Sequence, residues 1–406
     1  MAALNHSFFT ENRDTVFEAL QGGVLVAAGY GKMQRSNDTA FKFEQEANFW
    51  YLSGITHPDW WIILDGARRK SWLVMPVVDK THALFDGSLS ATDAKSISGI
   101  HDIIDRTKAL ELLRQTARKH RFVSTVGIPA HHEHFGFSLN PSIRELKELL
   151  ERTFQKVEDF RSELATVRAI KSASEVAAIQ SAINLTNHAF ELVRDNLTVY
   201  KFEYEIEALF THEFRASGAV GHAYDPIIAG GGNACTLHYD ANQARLKRGS
   251  LLLMDVGARV DGYAADITRT YAVGEPTKRQ RQLHQAVADA QKRIITLLQP
   301  GLQMSRYYQL VDQIMKQTLM DVGLLHDTSD DTTYRRYFPH SVGHGLGVDV
   351  HDSLGRHTEF KPGMVVTVEP GVYVPDEGVG VRIEDDILIT SNGHRNLSVK
   401  LSTDLS

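Results

Sequence analysis

Residues 251–273 read LLLMDVGARVDGYAADITRTYAV. Two apolar runs flank Asp261-Gly262, and Asp-Gly between such runs is a strong hairpin signal. Asp255 and Asp266 then fall on opposite arms of one hairpin, with Leu-Leu-Leu-Met before the first and Tyr-Ala-Ala before the second. Both sit in sequence that favours burial. A buried ionised carboxylate is costly unless it is paired or holds a metal. Two close together repel, so one would normally retain a proton. A divalent cation removes that conflict. The alternative is that each aspartate caps a turn or pairs with an arginine such as Arg259 or Arg269, and the hairpin alone does not separate these readings.

Three later segments add donors. HSVGHGLGVDVHD (340–352) holds His340, His344 and His351. Its glycines at 343, 345 and 347 oppose a helix, each costing about 1 kcal/mol relative to alanine, and allow backbone to approach a ligand closely. TVEPGVY (367–373) ends a predicted strand at Glu369, before a Pro370-Gly371 turn. GVGVRIEDDILIT (378–390) reads as one strand, with Glu384 in an apolar setting and Arg382 two residues before it on the same face. An Arg382–Glu384 ion pair is an alternative for that site. Taken together, Asp255, Asp266, His344, Glu369 and Glu384 form the oxygen-rich set that suits hard or borderline cations. Sharing two carboxylates between ions about 3.5–4 Å apart would make a co-catalytic pair. With one histidine, Mn²⁺ or Co²⁺ is expected over Zn²⁺, although affinity order alone would favour Zn²⁺.

The chain has 406 residues, enough to expect two domains. Upstream, GGVLVAAGY (22–30), WWIILDG (60–66) and SWLVMPVV (71–78) read as buried strands, and 94–120 shows helical spacing. This alternation predicts an α/β domain over 1–160. Residues 161–195 form a long amphipathic segment with Val176, Ile179, Ile183 and Phe190 on one stripe and a helix start at Ser174-Glu175. The second domain is expected over 161–406. It reads as two helices, a strand pair, two more helices (about 277–298 and 304–322) and a strand-rich end.

Composition is that of an ordinary globular chain, 42% hydrophobic and 23% charged. A net charge of -6 gives no expectation of nucleic-acid binding. No run approaches the roughly 18 apolar residues needed to span a bilayer. Glu11, Arg13 and Asp14 interrupt the N-terminus, so no signal peptide is expected there. The only cysteine, Cys235, rules out an intrachain disulfide and reads as a small buried or half-buried residue. A cytoplasmic setting fits these features.

These motifs, in this order, resemble the pita-bread metallopeptidases, and among them aminopeptidase P: MDVG, ADITRTY, HSVGHGLGVDVHD, VEPGVY and VRIEDDILIT. RSNDTAFKFEQEANFWYLSG (35–54) is similar to the associated N-terminal domain. YDPIIAGGGNACTLHY (224–239) is similar to the segment presenting a substrate-side histidine, here His238. The resemblance implies a creatinase/prolidase-type α/β domain followed by a pita-bread catalytic domain. It also implies a homodimer or homotetramer, with the first domain contributing to substrate access and oligomerisation. Asp255 would bind one metal, His344 and Glu369 would help bind the other, and Asp266 and Glu384 would bridge both. A metal-bridging hydroxide would attack the bond between an N-terminal residue and a following proline. Glu369 would shuttle a proton, while His238 and His351 would stabilise the oxyanion and steady the leaving nitrogen. His340 would line the proline wall, Arg382 would orient Glu384, and Tyr224 and Tyr373 would stand near the metals.

One stretch departs from the family pattern. Where many members carry a tryptophan followed by a Gly-Arg-rich run, HALFDGSLS (82–90) has Phe85 and no arginine after it. Trp60 and Trp61 read as core. Prolidase activity on Xaa-Pro dipeptides is the sister reading. A metal-free pita-bread binding module and a creatinase-like hydrolase are weighed against the five donors this chain retains.

Overall fold

The computed structural model describes residues 4–129, 136 and 138–405. The chain divides into two compact units, Met1–Val167 and Arg168–Ser406. No helix among the described residues is long and apolar enough to cross a membrane.

The first unit opens with helix α1 (His6–Leu20), strand β1 (Val24–Ala28), a short hairpin of β2 (Gln34–Ser36) and β3 (Thr39–Ala40), and α2 (Ala47–Ser53). It continues through β4 (Trp61–Asp65), β5 (Lys70–Val74), α3 (Lys80–Asp86), α4 (Ala91–Ser98), β6 (Asp102–Ile104), α5 (Arg106–Ala117), β7 (Phe122–Thr125), α6 (Pro141–Thr153) and β8 (Lys156–Asp159). Six of these strands form one sheet in the order β6-β5-β4-β1-β7-β8. β1 lies at its centre, antiparallel to β4 and parallel to β7. All five β1 residues are buried because helices cover both faces. Val24, Val26 and Ala28 pack with Leu113, Leu146 and Leu150 of α5 and α6. The 94–120 stretch differs from its helical reading. Gly99, at φ +70°, ends α4, β6 intervenes, and Asp105 restarts the chain as α5 by accepting from the Lys108 amide. Trp60 is buried, and Trp61 is half-buried beneath the Arg106 guanidinium. Phe85, on α3, is exposed.

Helix α7 (Arg161–Ala169) carries the chain into the second unit, and α8 (Ala173–Asp195) follows it. The predicted single segment is thus interrupted. The helix start is also two residues earlier than expected: Ser172, not Ser174, caps α8 in a reciprocal box with Glu175. Ile179, Ile183 and Phe190 are buried, whereas Val176 is only half-buried.

Then come α9 (Glu203–Ala216), β9 (Gly221–His222), β10 (Ile227–Gly230) and a 3₁₀ turn at Gly231–Cys235. The expected hairpin forms in two stages. β11 (Leu251–Val256) pairs with β14 (Ile267–Ala272), and β12 (Ala258–Val260) pairs with β13 (Tyr263–Ala264) in another sheet. Asp261 and Gly262 make the tip with φ +49° and +82°, the left-handed pair such a turn requires. The arms cross so closely at the break that a Cβ on Gly257 would lie 1.7 Å from the Ala265 carbonyl oxygen. This break leaves Asp255 near the end of one strand and Asp266 just before the other.

Helices α10 (Lys278–Ile295) and α11 (Met304–Asp321) supply apolar faces to the main core, followed by the short α12 (Asp331–Tyr337). The end of the chain holds β15 (Val365–Val368), β16 (Gly371–Val374), β17 (Val379–Arg382), β18 (Asp385–Thr390) and β19 (Gly393–Asn396). The predicted single strand over 378–390 is two strands. β17 pairs with β16, while β18 lies between β15 and β19. At the switch, Ile383 donates to the Pro370 carbonyl and Glu384 to that of Thr268. Glu384 therefore sits at a crossing of sheets, and Arg382 does not share a continuous strand face with it.

Candidate metal centre

The five expected donors converge within the second unit. Ligand atoms of Asp255, Asp266 and Glu384 lie within 4.8 Å of one another, as do those of His344, Glu369 and Glu384. Asp266, His344 and His351 form a third such group, so geometry also offers His351 as a ligand. Asp255, Asp266 and Glu384 are buried.

The contacts show why these carboxylates are uncomfortable without a cation. The Tyr224 hydroxyl is 2.6 Å from both Asp255 Oδ1 and Asp266 Oδ1, but one O–H can donate to only one of them. Burial, followed by the charge of Asp255, raises Asp266 above the usual carboxylate range. Glu384 is pushed well up by burial and by the charges of Asp266, Glu369 and Asp255. Burial also raises Glu369, with His344 and Arg382 opposing. Burial alone would lower His344, but Asp266 and Glu369 hold it up at about 9. Four carboxylates thus gather around a single guanidinium and the imidazoles of His340, His344 and His351, and this acid-rich donor set fits divalent cations. His344 Nδ1 lies 2.9 Å from the Gly345 carbonyl, the backbone anchor that leaves Nε2 as a ligand atom.

Arg382 makes a different set of contacts from those expected. It donates to Asp255 Oδ2 (2.6 Å), the Tyr373 hydroxyl (2.8 Å) and Thr268 Oγ1 (3.2 Å). Thr268 in turn donates to Glu384 Oε2 at 2.7 Å, so Arg382 is linked to Glu384 through that hydroxyl. The other two arginines weighed for the aspartates are engaged elsewhere. Arg269 pairs with Asp385 at 2.7 Å, and Arg259 donates to backbone carbonyls including Val348.

His340 Nε2 is 2.8 Å from the Tyr373 hydroxyl and Nδ1 is 2.7 Å from the Ser341 carbonyl. Burial holds its imidazole down at about 4, with Arg382 adding to the effect. A neutral ring bordered by Phe338 and Tyr373 makes a largely apolar wall. His351 is exposed, its ring 4.3 Å from that of His344. His238 is exposed on the loop after the 3₁₀ turn and is not among the ligand groups above. Cys235 is half-buried, its thiol directed at the Val379 carbonyl.

Sequence reasoning missed several supports. Asp386, fully buried, accepts from the Asp266 amide at 3.2 Å. Asp352 is held by Arg168 (3.0 Å) and Lys171 (3.1 Å), and its backbone closes the histidine loop by donating to the Gly345 carbonyl at 2.8 Å. The doublet Asp385-Asp386 inside an apolar run was a visible signal. Arg168 and Lys171 gave none, because their partner lies far away in sequence.

A family model for metallopeptidase family M24 matches residues 177–391, and one for the N-terminal domain of aminopeptidase P matches 9–124. The chain belongs to metallopeptidase family M24, within its aminopeptidase P branch. It is therefore a hydrolase with a requirement for divalent metal ions, built as an aminopeptidase P N-terminal domain followed by a pita-bread domain. It is 32% identical to an Xaa-Pro aminopeptidase of Haemophilus influenzae, covering 100% of this chain and 97% of that protein. It is 31% identical to an Xaa-Pro dipeptidase of Pyrococcus furiosus, covering 90% and 94% respectively. The solved structure of Escherichia coli aminopeptidase P with the inhibitor Pro-Leu superposes with a TM-score of 0.84 at 28% identity, covering 99% of this chain and 97% of that one.

Proposed function

We propose that this chain is an Xaa-Pro aminopeptidase, releasing the N-terminal residue of a peptide whose second residue is proline. The observation that carries the reading is the convergence of Asp255, Asp266, His344, Glu369 and Glu384 in interlocking groups. In this reading those five side chains would hold two divalent ions, with Asp266 and Glu384 serving both. When bound, the ions supply Lewis acidity, making a water nucleophilic near neutral pH and polarising the scissile carbonyl. Mn²⁺ is the proposed metal, with Co²⁺ or Zn²⁺ as substitutes.

The remaining work falls to the chain's own residues. Arg382 fixes Asp255 directly and Glu384 through Thr268, so both carboxylates keep their orientation. Glu369 takes the proton of the attacking water and returns it to the leaving nitrogen. His238 and His351 donate to the developing oxyanion and the leaving nitrogen. His340, neutral and packed against Tyr373, forms the wall receiving the proline ring. The domain division at 160/161, a cytoplasmic location and a homodimer or homotetramer complete the proposal. Val77, Leu84 and Phe85, all more than 80% exposed, support the oligomer.

The dipeptidase relative supports a second reading, prolidase activity at the same site. The Mn²⁺-loaded protein should be given an Xaa-Pro-Yaa tripeptide and the matching Xaa-Pro dipeptide side by side. Cleavage of the tripeptide at the Xaa-Pro bond is expected. Cleavage of the dipeptide alone would replace the proposal with prolidase, and cleavage of neither would remove proline specificity.

A further inference from the structure

Glu203 is the first residue of α9, fully buried and outside the metal cluster. Both of its carboxylate oxygens are occupied by one segment. Oε1 accepts from the Gly230 amide (2.8 Å) and from Asn233 Nδ2 (3.0 Å). Oε2 accepts from the Tyr239 hydroxyl (2.8 Å) and from the Ala244 amide (2.7 Å). These four donors span residues 230–244, and His238 lies between them in sequence. A second latch closes the same segment at its base. Asn242, buried and at φ +46°, accepts from the Ile228 amide and donates to the Pro226 carbonyl.

The segment's other side reaches the metal centre. Ala234, Cys235, Leu237 and Tyr239 pack in one cluster with Tyr373, the tyrosine bonded to both His340 and Arg382. The loop is therefore pinned at one edge by a buried carboxylate and rests at the other on the wall of the site. None of the hydrogen bonds described above gives Glu203 a cationic partner. Four donors compensate it instead, and only a carboxylate offers acceptor sites for all four. A glutamine would turn two acceptor sites into N–H donors aimed at donors. The design commits a costly buried charge to a single loop, which is more than packing of α9 requires.

We propose that Glu203 is a positioning residue that sets the height and direction of His238 over the metal centre. This rests on the reading of His238 as a substrate-side donor. Glu203 itself touches neither substrate nor reacting atoms, so its whole effect should pass through His238.

The test is a double-mutant cycle on the full-length, metal-loaded protein with an Xaa-Pro-Yaa substrate, combining Glu203→Gln with His238→Ala. Metal content and thermal midpoint are measured alongside kcat and KM. Glu203→Gln is expected to lower kcat by about 10²-fold, the order that a 1 Å misplacement costs. KM should move by less than about threefold, with metal stoichiometry unchanged. In the His238→Ala background the same substitution should have no further effect on kcat. Tyr239→Phe and Asn233→Ala each remove one donor and leave the carboxylate intact. They should reproduce a smaller kcat loss that also vanishes without His238, and they carry the test if Glu203→Gln does not fold. Losses that multiply with that of His238→Ala, or that follow the thermal midpoint, would overturn the proposal. So would an unimpaired Glu203→Gln. If His238→Ala is itself fully active, the reading of His238 falls first and this inference with it, an outcome distinct from an impaired His238→Ala with additive partners.

Discussion

β1 and β11 are both wholly buried strands, yet they bury different chemistry. β1, VLVAA, has no ionisable group, and its alternate residues meet apolar helices. β11, LLLMDV, buries Asp255 among its apolar residues, and the chain around it brings buried Glu384, Arg269, Arg382, Asp385 and Asp386 with it. The first unit buries charges too, but each is met by backbone groups and not by another acid. Glu46 caps α2 through the Phe49 amide, and Arg13 donates to the Leu52 carbonyl. In the second unit the buried acids face one another, an arrangement that raises Asp266, Glu369 and Glu384 and costs stability until a cation arrives. Burial of charge alone does not distinguish the units. Burial of like charge does.

The sharpest way to break this contrast is Glu384→Ala, which should lower kcat/KM by at least about 10³-fold, more than roughly 4 kcal/mol of barrier. Full activity in that variant, measured with metal content, would rule out a shared carboxylate. Metal removal probes the same asymmetry through stability. A chelator should abolish activity, and added Mn²⁺ should restore it. At a thousandfold excess over its Kd each ion would contribute about 4 kcal/mol, read as a fall in thermal midpoint on chelation. Leu64→Ala in β4, at a fully buried position, should cost roughly 3 kcal/mol by denaturant titration. It should leave kcat/KM below the transition within about twofold, because that core only holds the fold. A larger activity loss would show that this core does more than hold the fold.

A pH titration sharpens the picture inside the second unit. His284 on α10 is held down at about 4 by burial, against the pull of a backbone bond with Thr270. Its lowered folded value means that the unfolded chain binds the extra proton first. Stability is therefore lost as pH falls from about 6.5 to about 4, by on the order of 2–3 kcal/mol. His284→Gln should flatten that slope in urea titrations across this range. The smallest effect is expected at the α8 cap, where Ser172→Ala should cost about 1 kcal/mol in the same assay.

Apolar runs made most of the strands legible in the sequence, and the Asp261-Gly262 tip made the central hairpin legible. The five donors were legible as residues out of place in such runs. What stayed hidden depends on backbone events that leave periodicity intact. The strand switch at Ile383-Glu384 keeps Val379, Val381, Ile383, Ile387 and Ile389 on one parity, interrupted only by Asp385, so 378–390 reads as one strand and Arg382 as the neighbour of Glu384. The interruption at Gly99 was written in the sequence, yet apolar residues on both sides preserved helical spacing across it. Ser172, with Glu175 three residues on, has the capping-box spacing that Ser174 lacks, and both bonds of that box form.

Arg168 and Lys171 carry one more consequence, for portability. They are among the first residues of the second unit and hold Asp352, which closes the histidine loop, yet both precede residue 177, where the family match begins. A graft of this half onto another partner, cut at the start of the recognisable motif, would leave Asp352 buried without either cation. The transplantable module begins no later than Arg168.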